Sequence, residues 1–255
     1  EKFRRRYPYE YLKELFVKTT VSELKKASGS HLPDRSMELS EGAQGGSLVT
    51  DRAFTRELFE EPEVVPYIPS FIRKEEGMTG SDRGSAYHKV MELLDFKSFL
   101  HLGDTQERRR EITRQMEGME RGGKLSGEWR KSVSAPKLVR FLETPLAQRM
   151  IRAASEGKLH REQPFVLGLP ADRLNPGFPE TEMVLIQGII DVFFEEGDHI
   201  AVADYKTDRV KTAQELIDRY KVQLEYYAEA LFRLTGKRVE EKIIYSFCLS
   251  EEIIL

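Results

Sequence analysis

Asp204 and Lys206, in the run Ala201-Val-Ala-Asp-Tyr-Lys-Thr207, stand two residues apart in an apolar, strand-like segment, so both side chains leave the same face of one strand. A carboxylate with an ammonium beside it is the core of a metal site that can also meet negative charge on a substrate. The segment Met183 to Phe194 reads as a second strand, and in the intervening Glu195-Glu-Gly-Asp-His199 the pair Gly197-Asp198 suits a two-residue hairpin loop. With Glu196 paired to His199, counting down the ladder sets Asp191 opposite Asp204. Carboxylates facing each other across antiparallel strands repel by a few tenths to about 1 kcal/mol. A fold accepts this more readily with a cation between them, so the expectation is a divalent metal.

Two helical segments carry further candidates. From Asp82 to Phe96, Gly84, His88 and Glu92 recur every four residues and line one face, while Ala86, Val90, Leu93 and Leu94 form an apolar stripe. His88 can donate an imidazole nitrogen to a metal, and Gly84 lacks the side chain that would block a close approach. A lone helical histidine is also commonly a packed or exposed residue, and a glycine can simply serve tight helix packing. Gln223 and Tyr227 are likewise four apart, with Tyr220 and Leu224 near by; amide and phenol can bridge phosphate oxygens, or the face can merely pack on a sheet. Gly188, three residues before Asp191, fits a bulge or a close-packing position. Glu162, ahead of Pro164-Phe-Val-Leu167, is read as a surface residue in preference to a further carboxylate of the site. Lys206 can equally be a salt-bridge partner of Asp204 or Asp208.

The elements that must position these residues follow from the periodicity. One or two short helices occupy the first thirty residues, with Ser22 as cap of a helix starting Glu23-Leu24-Lys25. Gly29 to about Pro69 is rich in Gly, Pro, Ser and charge, and is expected to be a linker or arm. Helical patterns run from Asp82 to Phe96, Thr105 to Arg121, Ser126 to Leu142 and Pro145 to Ser155. Leu159 to Leu169, Met183 to Phe194, Ile200 to Thr207 and Val239 to Leu249 then read as strands, with a long helix from Thr212 to Leu234 between the last two. Thr212 and Glu215 make a capping box at its start, and Gly236 follows its end. The expected fold is α/β: a mixed central sheet flanked by helices, preceded by an N-terminal helical region, with residues 1–69 as helices and arm and 70–255 as the main domain.

Composition narrows the function. At 255 residues and 40% hydrophobic content the chain can build a real core. No apolar run is long enough to span a membrane, and Glu1-Lys-Phe-Arg-Arg-Arg-Tyr7 is followed by no signal core; the chain opens in mid-phrase, like a piece of a longer protein. One cysteine, Cys248, can neither form an internal disulfide nor hold a cysteine-ligated iron–sulfur cluster, and a reducing cytoplasm is expected. A net charge of −3 does not advertise nucleic acid, but phosphate binding depends on local cations. Arg4–Arg6 and Arg108–Arg110 are two such runs, although charge runs are commonly solvated helix faces. No Gly-x-x-x-x-Gly-Lys-[Ser/Thr] loop exists, so this chain has no ATP site of that kind.

The motifs gain meaning from their order. Gly84-x-x-x-His88-x-x-x-Glu92, Gly188-x-x-Asp191, Asp204-x-Lys206-Thr207 and Gln223-x-x-x-Tyr227 fall on a helix, a strand, a strand and a helix. This series resembles the RecB-type branch of the PD-(D/E)XK nucleases, over about Gly84 to Leu249. The phrase Thr20-Val-Ser-Glu-Leu-Lys25, after Tyr7-Pro-Tyr9, is further similar to the opening of the nuclease domain in AddA-type subunits of bacterial AddAB helicase–nucleases. The resemblance implies a restriction-endonuclease-like core. It makes His88, Asp191, Asp204 and the carbonyl of Tyr205 metal ligands, Asp191, Asp204 and Lys206 the catalytic group, and Gln223 and Tyr227 contacts to DNA or supports of the site, with Glu92 in the first motif. It also implies Mg²⁺, with Mn²⁺ able to substitute, hydrolysis of single-stranded DNA, helicase domains in the same polypeptide, and a partner subunit of AddB type. Arg108–Arg110 and Arg114 are expected to guide the strand. Two other classes remain: a catalytically silent nuclease-like domain that binds DNA or a partner, and a lysine-based decarboxylase. Retention of Asp191, Asp204 and Lys206 argues against the first, and helices bunched ahead of the strands argue against the second.

Overall fold

Helices gather early along the chain and strands follow, as the change in hydrophobic period predicts. The computed structural model describes residues 18–27, 79–174 and 176–255; the expected arm at 29–69 and the Arg4–Arg6 run lie outside them. The described residues fall into two compact units, one from the described part of Glu1–Glu76 with Gly168–Ile186, the other from Gly77–Leu167 with Gln187–Leu255.

The first unit contains β1 (Lys18–Thr20) and α1 (Val21–Ala27). The cap expected at Ser22 is instead Thr20, because Thr20 and Glu23 satisfy each other. The Thr20 hydroxyl accepts from the Glu23 amide at 3.2 Å, and the Glu23 carboxylate accepts from the Thr20 amide at 2.8 Å. Helix geometry therefore begins at Val21, and Ser22 lies inside it. A small apolar cluster of Ala171, Phe178 and Val184 also belongs to this unit.

The second unit opens with α2 (Gly80–Leu93), whose Thr79–Asp82 capping box fixes its start, and a short 3-10 turn at Phe96–Phe99. Asp104 caps α3 (Thr105–Arg121). The helix expected from Ser126 to Leu142 is two helices, α4 (Gly127–Ser132) and α5 (Ala135–Leu142). Pro136 has no amide to return to the carbonyl of Ser132, so a continuous helix is lost there. The freed Ser134 amide instead donates to the Tyr87 hydroxyl at 3.1 Å. α6 (Pro145–Ser155) completes the helical layer.

The six-stranded sheet contains, besides β1, the strands β2 (Leu159–Pro170), β3 (Met183–Glu196), β4 (His199–Lys206), β5 (Arg238–Ser246) and β6 (Glu251–Ile254), with α7 (Ala213–Thr235) crossing over between β4 and β5. β3 and β4 are antiparallel, β4 and β5 parallel, β5 and β6 antiparallel, and β2 joins β3. This is the mixed sheet flanked by helices that the sequence leads one to expect, and not a barrel of alternating strands and helices. The strand expected to run to Leu249 stops at Ser246; the chain turns, with Ser250 at φ 58°, and returns as β6, which periodicity did not reveal.

β4 is buried along nearly its whole length, which explains its unbroken apolar composition. Ala201, Ala203 and Tyr205 pack toward the helical layer, where Phe141 meets Tyr245 and Tyr205 edge-on at centroid distances of 4.7 and 5.9 Å. Arg149 of α6 ties this layer to two strands. Its guanidinium holds Glu196 of β3 at 2.6 and 3.0 Å and Glu241 of β5 at 2.8 Å, and lies 5.2 Å from the centre of the Phe194 ring. The guanidinium holds the Glu196 carboxyl below its ordinary value.

Replacing Arg149 with methionine should therefore destabilise the domain by about 1–2 kcal/mol at neutral pH, a value kept small by partial solvent screening. Because Glu196 has a depressed folded-state pKa, the bridge contributes fully above the unfolded carboxylate value and loses its contribution as pH falls through the folded one. Urea unfolding of both proteins should show the gap narrowing as the pH is lowered below about 4.5.

Candidate active site

The β3–β4 hairpin sets the register on which the site depends. Gly197 sits at φ 63°, a left-handed conformation that glycine adopts without strain, and Glu196 pairs with His199. The ladder then runs residue by residue to Val192 opposite Ala203. Beyond that pair Asp191 stops being a simple ladder residue: its Oδ2 accepts the backbone amide of Tyr205 at 2.9 Å. The two strands thus deliver Asp191 and the Asp204-Tyr205-Lys206 run to one place.

Asp204 is completely buried. The Lys206 ammonium lies 2.6 Å from its Oδ2, and Gln223 of α7 donates to its Oδ1 at 3.2 Å and to the Tyr227 hydroxyl at 2.6 Å. The ammonium is thus the charge partner of Oδ2, while Oδ1 faces the Gln223 amide. Burial pushes the Asp204 carboxyl up to about 7, against the pull of Lys206 and with the help of Asp191. Burial would also strip the proton from Lys206, yet the two carboxylates outweigh it and raise the ammonium above its usual value.

His88 of α2 places Nδ1 3.3 Å from Asp191 Oδ2. Burial alone would raise the Asp191 carboxyl and lower the imidazole. The contact between them, with Lys206 and the Tyr205 amide assisting at the carboxylate, reverses both directions. Gly84, one turn before His88, makes the approach of α2 possible: a β-carbon there would stand 3.2 Å from the Thr207 hydroxyl.

Not every expected residue joins the cluster. Glu92 pairs with Lys89 at 2.7 Å on α2. Gly188 is half-buried within β3. Of the guiding cations, Arg114 is held by Glu111 at 2.6 and 2.7 Å and Arg108 by the Leu102 carbonyl at 2.9 Å, while Arg109 and Arg110 are exposed on α3.

Two residues of the site escape the sequence patterns. Glu162, read from sequence as a surface residue, is half-buried, and its carboxylate, an Asp191 oxygen and a His88 nitrogen all lie within 4.8 Å of one another. Its backbone has φ 49°, an uncommon left-handed conformation for a side-chain-bearing residue, of order 1 kcal/mol or more in strain. Burial, then Asp191, raises its carboxyl. Tyr220 lies with its ring centre 4.1 Å from the Lys206 ammonium, and its hydroxyl donates to both oxygens of Asp208 at 2.9 and 3.0 Å. A tyrosine three residues before Gln223 is visible in the sequence as a neighbour, but nothing there ties it to Lys206.

Imidazole nitrogen and carboxylate oxygens at this spacing, beside the buried Asp204 carboxylate, fit a divalent cation of the Mg²⁺ or Mn²⁺ type. The group nearest to a ligand set takes Glu162, while Asp204 rests on Lys206.

Residues 66–250 match the PD-(D/E)XK nuclease superfamily. The chain belongs to that superfamily. Among curated relatives it is 34% identical to an ATP-dependent helicase/nuclease subunit of Lachnoclostridium phytofermentans, over 97% of this chain and 21% of that protein. Corresponding proteins of Clostridium novyi and Thermoanaerobacter sp. strain X514 are 33% and 35% identical over 97% and 94% of this chain, and 18% of each of theirs. The chain thus spans about a fifth of the length of these relatives. Among the described residues no helix is long and apolar enough to cross a membrane.

Glu162→Gln removes a charge from this cluster while keeping shape. Calorimetric titration with Mn²⁺ should show affinity reduced about tenfold or more; wild-type affinity in the variant would mean that Glu162 faces no cation.

Proposed function

We propose that this domain is a metal-dependent nuclease that hydrolyses phosphodiester bonds of single-stranded DNA, acting as the exonuclease part of a bacterial helicase–nuclease that processes double-strand break ends for recombinational repair. The observation that carries this reading is the buried Asp204–Lys206 pair set beside His88, Asp191 and Glu162 at the end of β3 and β4. A structural role alone does not explain such a group, because burying two carboxylates and an ammonium is costly unless the charges meet something.

His88, Asp191, Asp204 and the Tyr205 carbonyl would hold the cation, with Glu162 as an added carboxylate; Mg²⁺ is the natural occupant and Mn²⁺ a substitute that the imidazole favours. When bound, the cation lowers the pKa of water and offsets charge developing on the phosphate. Lys206 keeps its proton and directs its ammonium where the attacking water and the phosphate oxygens gather, which stabilises negative charge as it grows. Tyr220 holds that ammonium from the side, through ring and cation, so Lys206 need not reorganise during the reaction. Gln223 orients Asp204 and is itself tied to Tyr227, whose hydroxyl stays protonated because burial raises it. Glu92, on α2 with His88, would contact DNA or support the site.

The relatives are named as helicase/nuclease subunits, and the chain covers only part of their length. That supports helicase domains in a longer polypeptide, an AddB-type partner and a cytoplasmic setting, with the strand delivered by the motor. The alternative, a silent nuclease-like domain that binds DNA or a partner, leaves the buried Asp204–Lys206 pair without a purpose.

A labelled single-stranded oligonucleotide incubated with the chain in Mg²⁺, Mn²⁺ or EDTA tests the proposal. Cleavage should require metal, and Asp204→Ala and Lys206→Met should each lower the single-turnover rate by at least about 100-fold. Cleavage that survives EDTA, or that both variants retain, would overturn it. Metal binding by a wild-type chain that leaves DNA intact would favour the silent domain.

A further inference from the structure

The end of the sheet that presents Lys206 also presents cations that the hydrolytic group does not use. Phe247, just after β5, donates its amide to the Lys206 carbonyl at 2.8 Å. Its own carbonyl accepts the Lys137 ammonium of α5 at 2.5 Å. On the other side Tyr87 of α2 packs its ring 4.6 Å from that of Phe247, and the Arg83 guanidinium lies 5.9 Å from the centre of the Tyr87 ring. Arg83 directly precedes Gly84, the residue that lies against Thr207. Both cations are therefore anchored, through one aromatic pair and one carbonyl, to the Lys206-Thr207 end of β4.

The two cations share a lack of counter-charge beside a site built for phosphate. Other half-buried cations of this unit are either matched by carboxylates, as Arg130 is by Glu120, Arg149 by Glu196 and Glu241, and Lys237 by Glu195, or rest on backbone carbonyls, as Arg108 and Arg161 do. Among the described residues neither Arg83 nor Lys137 forms an ion pair, and Arg140, one turn past Lys137, forms none either. The Nε of Arg83 is buried with no hydrogen-bond partner. Burial, then the charges of Arg83 and Arg140, press the Lys137 ammonium below its ordinary value. A half-buried group of like charges beside a hydrolytic site is electrostatically incomplete until an anion arrives.

We propose that Arg83 and Lys137, with Arg140 at the rim, bind a non-scissile phosphate of the single DNA strand and so fix its path past Lys206. The inference rests on the nuclease reading and adds to it a substrate-positioning subsite. A guanidinium presents a planar fork to phosphate oxygens, and the ammonium of Lys137 retains two donors after serving the Phe247 carbonyl. Such contacts carry no base preference, as a domain fed by a motor requires.

Anisotropy of a labelled single-stranded oligonucleotide, measured in EDTA across a salt series, reads this directly. Arg83→Gln and Lys137→Gln should each weaken binding several-fold near 0.1 M salt and lower the slope of log K against log salt by about 0.7, and the double variant should lower it by about 1.4. Arg83→Lys should keep the wild-type slope. Lys237→Gln, at the opposite end of β5 and paired with Glu195, should also keep it. Lys137→Gln loses a tertiary hydrogen bond, so Arg83→Gln, with a wild-type circular dichroism melt, carries the decision. A folded Arg83→Gln with an unchanged slope overturns the subsite. Metal-dependent cleavage by the wild-type chain in that same case leaves the nuclease reading standing, whereas a wild type that neither binds nor cleaves overturns both.

Discussion

The structure depends on keeping two carboxylates and an ammonium together where water is scarce. Asp204 is fully enclosed, Lys206 touches it, and Asp191 is close enough to push its carboxyl upward. Such a group is held in place only if every neighbour is fixed, because an unmatched buried charge costs several kcal/mol. Each flanking element contributes at least one restraint. The hairpin sets the register of β3 on β4, α2 brings His88 to Asp191, α7 brings Gln223 to Asp204 and Tyr220 to Lys206, and the Tyr205 ring locks the strand into the aromatic core.

Much of this is legible in the sequence because it rests on counting. A two-residue loop plus a period of two fixes which strand residues come together, and the observed pairing from Glu196–His199 to Val192–Ala203 follows that count. Spacing of four on a helix puts Gly84 and His88 on one face, and Gln223 and Tyr227 on another; the structure gives each pair a common task. Capping chemistry locates the start of α7 at Thr212 for the same local reason.

What stays hidden needs tertiary information. Glu162 precedes an apolar strand and has no periodic signature; its place comes from a left-handed backbone turn that aims it at His88 and Asp191. Tyr220 looks like one more aromatic of an amphipathic helix, and only packing shows its ring beside Lys206. The break between α4 and α5 is signalled by Pro136 but outweighed by a continuous helical pattern, and β6 is too short for periodicity to register. At α1 the reciprocal Glu23 decides between Ser22 and Thr20, and the preference of a single residue for a cap does not weigh that partner. Local rules fail where a residue's partner lies on another element, or where two local rules compete.

The central claim is that the β3–β4 carboxylates form a site completed by a divalent cation. Thermal unfolding of the wild-type chain and of Asp191→Asn, each in EDTA and in increasing Mn²⁺, tests it without relying on catalysis. A cation bound only by the folded state must raise the transition temperature progressively with concentration. The wild type should show that rise and Asp191→Asn should lose most of it. A wild-type transition indifferent to Mn²⁺, or an equal rise in the variant, would contradict the account.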